Sequence, residues 1–130
     1  AQHYSKAIKT FKKLLTLYPR NKMISLFYAE TLLKANKVKL AHKVLQTLTE
    51  QSTVTPNAYQ LLAKTLAKLN KPIQSHQALA EHYYLLGQTH DAIKQLEIAL
   101  KAPKNNFYLT SRLEARLKEF KNEVLQLRTN

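Results

Sequence analysis

Residues 76–100 read HQALAEHYYLLGQTHDAIKQLEIAL, and this stretch decides the fold. It places small residues at Ala80 and Ala92 on either side of Gly87, the single glycine of the chain. Apolar residues recur three or four positions apart on both sides of that glycine, which is the spacing of amphipathic helices. Glycine readily adopts the left-handed backbone conformation that often ends a helix. The stretch therefore predicts two helices joined by a tight turn, with small residues where their backbones approach.

The second half of this stretch recurs twice earlier in the chain. Residues 5–15 read SKAIKTFKKLL and residues 38–48 read VKLAHKVLQTL, so that Ala7, Ala41 and Ala92 occupy the same place in one pattern. Ala41 follows Ala7 by 34 residues, and Ala92 follows Ala41 by 51, which is one and a half times 34. A fixed period of this size is typical of stacked helical hairpins.

Hydrophobic periodicity and the prolines together predict seven helices. Proline removes a backbone donor and disfavours helix in the residue before it, so Pro19, Pro56, Pro72 and Pro103 mark helix boundaries. The predicted helices span residues 3–17, 22–35, 38–50, 57–69, 73–86, 90–101 and 107–127. We expect Thr89 to cap the sixth helix by accepting a hydrogen bond from a free backbone amide.

The expected fold is all-α: a right-handed α-solenoid of about seven antiparallel helices that ends in a long capping helix. Ala63 and Ala80 are 17 residues apart, half a period, so the fifth helix is expected to pair with both of its neighbours. We expect residues 1–130 to be a single domain and a fragment of a longer chain. Its expected parts are the second helix of a truncated repeat (1–18), repeat units with one register slip (22–103) and a capping helix (107–127).

The repeated positions resemble the tetratricopeptide repeat (TPR) over about residues 1–103. The later unit matches the repeat pattern at Leu79, Ala80, Tyr83, Gly87, Ala92, Leu96 and Ala99, and the earlier unit matches at Tyr28, Ala29, Leu32, Ala41, Leu45 and Leu48. The tryptophan usual in the repeat is absent, and Asn36 and Asn70 stand where the later unit has its glycine. The resemblance implies a non-catalytic scaffold that binds other proteins or peptides along the concave surface lined by first helices.

Register assigns eleven positions to that concave surface as candidate partner-binding residues. They are Met23, Leu26, Glu30 and Leu33, then Asn57, Gln60, Lys64 and Lys68, and finally Gln77, Glu81 and Tyr84. Chaperone-binding members of the family hold a C-terminal carboxylate with two asparagines and several basic residues. Leu26 and Glu30 stand at those positions in the first repeat, and Gln77 and Glu81 in the last, so a chaperone adaptor is disfavoured. Ordinary solvated surface is the alternative for each position.

Residues 76–120 resemble more narrowly the C-terminal TPR region of bacterial periplasmic zinc metallopeptidases of the β-barrel-assembly-enhancing kind. The matching elements are Ala80–Gly87, Ala92–Leu96 and a closing helix that runs from Phe107-Tyr108 through Arg112 and Arg116. The resemblance implies a periplasmic location, and partners among the β-barrel assembly machinery or unfolded outer-membrane proteins. It also implies that zinc belongs to a catalytic domain upstream.

Two closing-helix arginines, Arg112 and Arg116, are therefore candidate contacts to a partner. The simpler alternative is that both arginines pair with nearby acids such as Glu119 or Glu123.

The composition excludes several kinds of chemistry. The absence of cysteine excludes a disulfide scaffold and a cysteine-ligated metal site. The five histidines do not form the HExxH motif, which places two zinc ligands and a glutamate base on one helix. We therefore expect no catalytic, metal-binding or cofactor-binding residue, and no enzyme activity, in this fragment. No apolar run approaches the roughly 18 residues that span a bilayer.

The net charge of +13 is concentrated at the beginning of the chain. Across the first 43 residues, ten lysines and arginines face one acidic residue, Glu30. Such asymmetry favours acidic partners or anionic surfaces, although solvated outer helix faces would explain it more simply. Three functions stay open: a scaffold within a peptidase, a generic TPR adaptor without a peptidase, and a basic module for nucleic acid or anionic lipid. Only the charge favours the third.

Overall fold

The computed structural model describes residues 2–51, 53–103 and 106–129, and these residues form seven helices without a strand. The helices are α1 (Gln2–Leu17), α2 (Lys22–Lys34), α3 (Val38–Thr49), α4 (Pro56–Lys68), α5 (Pro72–Leu85), α6 (Thr89–Lys101) and α7 (Phe107–Thr129). The observed ends lie close to the predicted ones because prolines and turn residues mark most of them. The all-α class and the helix number are confirmed.

Each helix packs against its neighbours in the chain, which is the arrangement of a solenoid. The predicted double pairing of α5 is confirmed, because α5 packs against both α4 and α6. The second helix, α2, also touches α4 across the intervening α3. The division of the chain into repeat units stays a prediction.

The core between α5, α6 and α7 shows why small residues recur in the sequence. Ala80 of α5 and Ala92 of α6 have no exposed surface, and Leu96 fills the space beside them. Leu113 and Phe120 of α7 complete the same buried cluster. The last helix is therefore part of the core and covers the end of the stack.

Three turns between helices share one geometry, centred on Asn36, Asn70 and Gly87. Their φ angles are 61°, 59° and 78°, in the left-handed region that glycine and asparagine tolerate best. In each turn this residue donates its N–H to the carbonyl three residues earlier, at 3.0 to 3.1 Å. The following N–H donates to the carbonyl five residues earlier, at 2.8 to 2.9 Å. This pair of bonds is the Schellman motif, which satisfies carbonyls at the end of a helix.

The residue after each of these turn centres also begins the next helix. The carbonyls of Lys37, Lys71 and Gln88 accept the N–H four residues ahead at 3.0 to 3.1 Å. The expectation that Thr89 caps α6 is therefore wrong. Gln88 is the N-cap and makes no side-chain capping bond, because its backbone is already held by the preceding turn.

Replacing Gly87 with alanine is expected to lower the free energy of unfolding by about 1 kcal/mol, because an L-residue is strained at positive φ. No atom lies within 4 Å of the added Cβ, so the cost is conformational and not steric. Gly87→Asn should cost less, since Asn36 and Asn70 already hold this geometry. Urea denaturation of both variants measures the difference, and equal stability of the two variants would contradict the turn assignment.

Candidate functional site: a groove between α2, α4 and α5

A groove of about 710 Å³ opens between α2, α4 and α5. Its polar lining includes Glu30 from α2 and Asn57, Gln60 and Lys64 from α4. A second hollow of about 300 Å³ shares Glu30, Leu61 and Lys64 with the first and adds Leu33, Lys34 and Lys68. The two hollows form one continuous surface, called the α2–α4 groove below.

The polar side of α4 faces this groove because of its spacing. Asn57, Gln60, Lys64 and Lys68 follow one another at intervals of three or four residues, which places them on one helix face. All four are exposed. The structure thus brings these four predicted residues together with the fifth, Glu30, which is partly buried on α2. The prediction that they contact a partner stays a prediction.

Charge is unbalanced in this groove. The ion pairs found among residues 2–51, 53–103 and 106–129 are Arg116–Glu81, Arg116–Glu119 and Lys121–Glu97, all in the second half of the chain. Lys34, Lys64 and Lys68 make none of them. Three ammonium groups therefore surround Glu30 without being neutralised by a close carboxylate.

Leu26 does not line the groove, contrary to its predicted place there. Its side chain is 8% exposed and lies in a core cluster with Ala29, Leu45 and Ala58. The register correctly places it on α2, but α3 and α4 cover that side of the helix. Of its predicted neighbours, Leu33 is buried at the edge of the second hollow, and Met23 lies at a separate small hollow beside Val54.

Glu81 and Tyr84 lie outside the groove lining and are engaged by the last helix instead. Arg116 donates from Nε and Nη2 to the two carboxylate oxygens of Glu81, each at 2.8 Å, and from Nη1 to Glu119 at 2.8 Å. The ring of Tyr84 stacks on Phe120 with centroids 4.6 Å apart. We call these five residues the α5–α7 cluster.

The α5–α7 cluster fixes the protonation state of its members. The hydrogen bonds to Glu81 raise the pKa of Arg116 above its ordinary value, although partial burial acts the other way. The Tyr84 hydroxyl donates to Glu123 at 2.8 Å, and that bond and burial raise the pKa of Tyr84. Both side chains therefore stay protonated near neutral pH and hold α7 against α5.

The remaining predicted contacts differ in their surroundings. Arg116 makes the internal pairing that the simpler alternative describes, with Glu119 and also with the more distant Glu81. Arg112 is exposed, and its guanidinium carbon lies 5.8 Å from the centroid of the Tyr108 ring. Gln77 is partly buried on α5 and is not part of the groove lining.

Two groove residues, Lys34 and Leu61, were not among the predicted positions. Lys34 follows Glu30 by four residues, so the helical period could have found it. Leu61 is next to Gln60 and carries no polar signal. It contributes apolar surface to both hollows.

Histidines serve contacts between helices. The Nδ1 atom of His82 lies 2.7 Å from the carbonyl oxygen of Pro56, and that of His76 lies 2.8 Å from Oε1 of Gln95. Within the described part of the chain, no three His, Asp or Glu residues gather in a way that could hold a metal ion. The helices observed there include none with the length and apolarity needed to span a membrane.

Comparison with known proteins identifies the repeat. The family profile described as tetratricopeptide repeat matches residues 1–65, half of the chain. One crystal structure of MamA protein superimposes with a TM-score of 0.52 and 17% sequence identity, covering 96% of this chain and 82% of that one. A second MamA crystal structure gives 0.52 and 16%, with 98% and 92% covered. At such identities the likeness shows the fold alone. The search of curated proteins gives no match.

Proposed function

Because this chain belongs to the tetratricopeptide repeat family, a family of protein-interaction scaffolds, we propose that its α2–α4 groove holds an extended segment of a partner protein. One observation carries the proposal. Glu30, Asn57, Gln60, Lys64 and Lys68 come from two helices and line one concavity, and none of them is buried in the core.

The groove has the mixed lining that suits a peptide. Leu33, Leu61 and Leu79 offer apolar surface for side chains of a bound segment. The amides of Asn57 and Gln60 can both donate and accept, so they can bond to the N–H and C=O groups of an extended backbone. The α5–α7 cluster occupies the corresponding side chains further along the stack, so the groove is the open part of this surface.

Filling the groove with a bulky side chain should abolish binding. Ala67 is exposed and lines the groove, whereas Ala115 is an equally simple exposed alanine on α7. Peptides selected from a random library on the purified protein should bind Ala67→Trp about tenfold more weakly or worse, by loss of contacts and steric exclusion. Ala115→Trp should bind like the original chain.

Fluorescence anisotropy measures both affinities, and thermal melts show whether each variant is folded. Equal binding of the selected peptides to Ala67→Trp and to the original protein would refute the groove as the binding site.

We further propose that the parent protein is a periplasmic zinc metallopeptidase, in which this domain positions substrates or outer-membrane assembly proteins for a separate catalytic domain. The resemblance of residues 76–120, including Phe107, Arg112 and Arg116, supports this proposal. An adaptor without a peptidase is the alternative. The coding sequence upstream of Ala1 distinguishes them: we expect an HExxH helix and an export signal, and the absence of both would refute the peptidase proposal.

A further inference from the structure

Basic and acidic residues are divided unevenly between the two halves of the chain. The first 80 residues hold 13 of the 21 lysines and arginines but only two of the eight acidic residues, Glu30 and Glu50. All three ion pairs among the described residues lie beyond this point or reach back no further than Glu81. The first half therefore keeps an uncompensated positive field around the α2–α4 groove.

Inside the groove this field has a definite geometry. Lys34 approaches from α2, and Lys64 and Lys68 approach from α4, while Glu30 lies between the two helices. Lysine ammonium groups so placed attract carboxylates at short range and also steer them from a distance. Because the groove is concave, its counter-ions are partly excluded and the attraction is stronger than on a flat surface.

An exposed aromatic residue extends the same face of α2. Phe27, Glu30 and Lys34 follow at intervals of three and four residues, so they lie along one side of the helix. The Phe27 side chain is 46% exposed, which is high for a phenylalanine in a folded domain. It offers an apolar contact at one end of the basic groove.

We propose that the partner segment is acidic: a stretch of another protein with several Asp or Glu residues near Lys34, Lys64 and Lys68, and an apolar side chain against Phe27. This inference rests on the proposed function, since it names the class of segment that the groove takes. Two observations favour a peptide over a phosphate backbone or a membrane. A continuous phosphate chain would meet the carboxylate of Glu30, and a flat lipid surface cannot enter a concavity.

The test compares two labelled peptides on the full chain. One peptide alternates aspartate with serine around a central leucine, and the other replaces each aspartate with asparagine. We expect the acidic peptide to bind at least about tenfold more tightly at low salt, and to lose most of that advantage as salt screens the charges. Phe27→Ser should weaken the acidic peptide further.

Two double variants with the same net charge locate the effect. Lys64→Glu with Lys68→Glu reverses charge inside the groove, and Lys39→Glu with Lys43→Glu does so on exposed positions of α3 outside it. The groove variant should lose acidic-peptide binding by about tenfold or more, while the α3 variant should stay close to the original protein. Equal losses in both would show a non-local charge effect and overturn the proposal.

Further outcomes separate this inference from the function on which it rests. If the neutral peptide binds as well as the acidic one and Ala67→Trp blocks both, the groove is the site but its preference for acids is refuted. If Ala67→Trp blocks neither, both proposals fail. Displacement of the acidic peptide by single-stranded RNA or by phosphatidylglycerol vesicles, with the same loss in the Lys64/Lys68 variant, would identify phosphate as the occupant and overturn it. Self-association in sedimentation, blocked by Ala67→Trp, would do the same in favour of a second copy.

Discussion

Replacing Phe120 with alanine is expected to lower the free energy of unfolding by about 3 to 5 kcal/mol, as is typical of a large aromatic residue removed from a core. The Phe120 side chain has no exposed surface and lies in the cluster with Leu96 and Leu113. Its ring also stacks on Tyr84 and lies under the guanidinium of Arg116, 4.5 Å from ring centroid to carbon. The substitution therefore removes apolar burial, an aromatic pair and a cation–π contact together.

A second phenylalanine in the same helix provides the control. Phe107 is 87% exposed, so Phe107→Ala should change the free energy of unfolding by less than about 0.5 kcal/mol. Urea denaturation followed by circular dichroism gives both values. Similar losses for the two variants would show that α7 does not dock through Phe120.

Truncation after Pro103 is expected to cause aggregation or a large fall in melting temperature, because it removes α7. The cut would expose the apolar faces of Ala80, Leu96 and Ala99, which are now at most 2% exposed. It would also leave Glu81 without the bidentate partner that α7 supplies. Terminal units of a repeat stack must cover such an end with a polar outer face, and α7 serves that purpose here.

A shorter truncation tests whether chain length alone matters. Residues 125–129 are exposed, and a chain that ends at Val124 keeps Phe120 and Arg116 in place. This variant should stay monomeric in analytical ultracentrifugation, with a melting temperature close to that of the full chain. A monomeric and equally stable protein after removal of all of α7 would show that the capping role is mistaken.

The helices were predictable because their signals are local. Proline begins α4 and α5, and a positive-φ residue ends α2, α4 and α5, so each boundary is encoded within a few positions. The α4 side of the groove was predictable for the same reason, since the polar stripe of one straight helix follows from its period.

The remaining site depended on distant partners. Leu26 belongs to the predicted helix, but only the packing of α3 and α4 decides that this side is buried. Arg116 reaches Glu81 across 35 residues, and Tyr84 reaches Glu123 across 39. No spacing rule within a helix connects such pairs, so the sequence presented Glu81 and Tyr84 as free surface.

The three identical turns set a measuring scale for the bound segment. Asn36 and Asn70 are one full period apart, but Gly87 follows Asn70 after half a period, so the alternation that lines up α2 and α4 is interrupted at α5. Neighbouring packed helices lie about 10 Å apart, so the open surface from α2 to α5 extends about 20 Å. An extended chain advances about 3.3 Å per residue, and we therefore expect this scaffold to read about six consecutive residues of its partner.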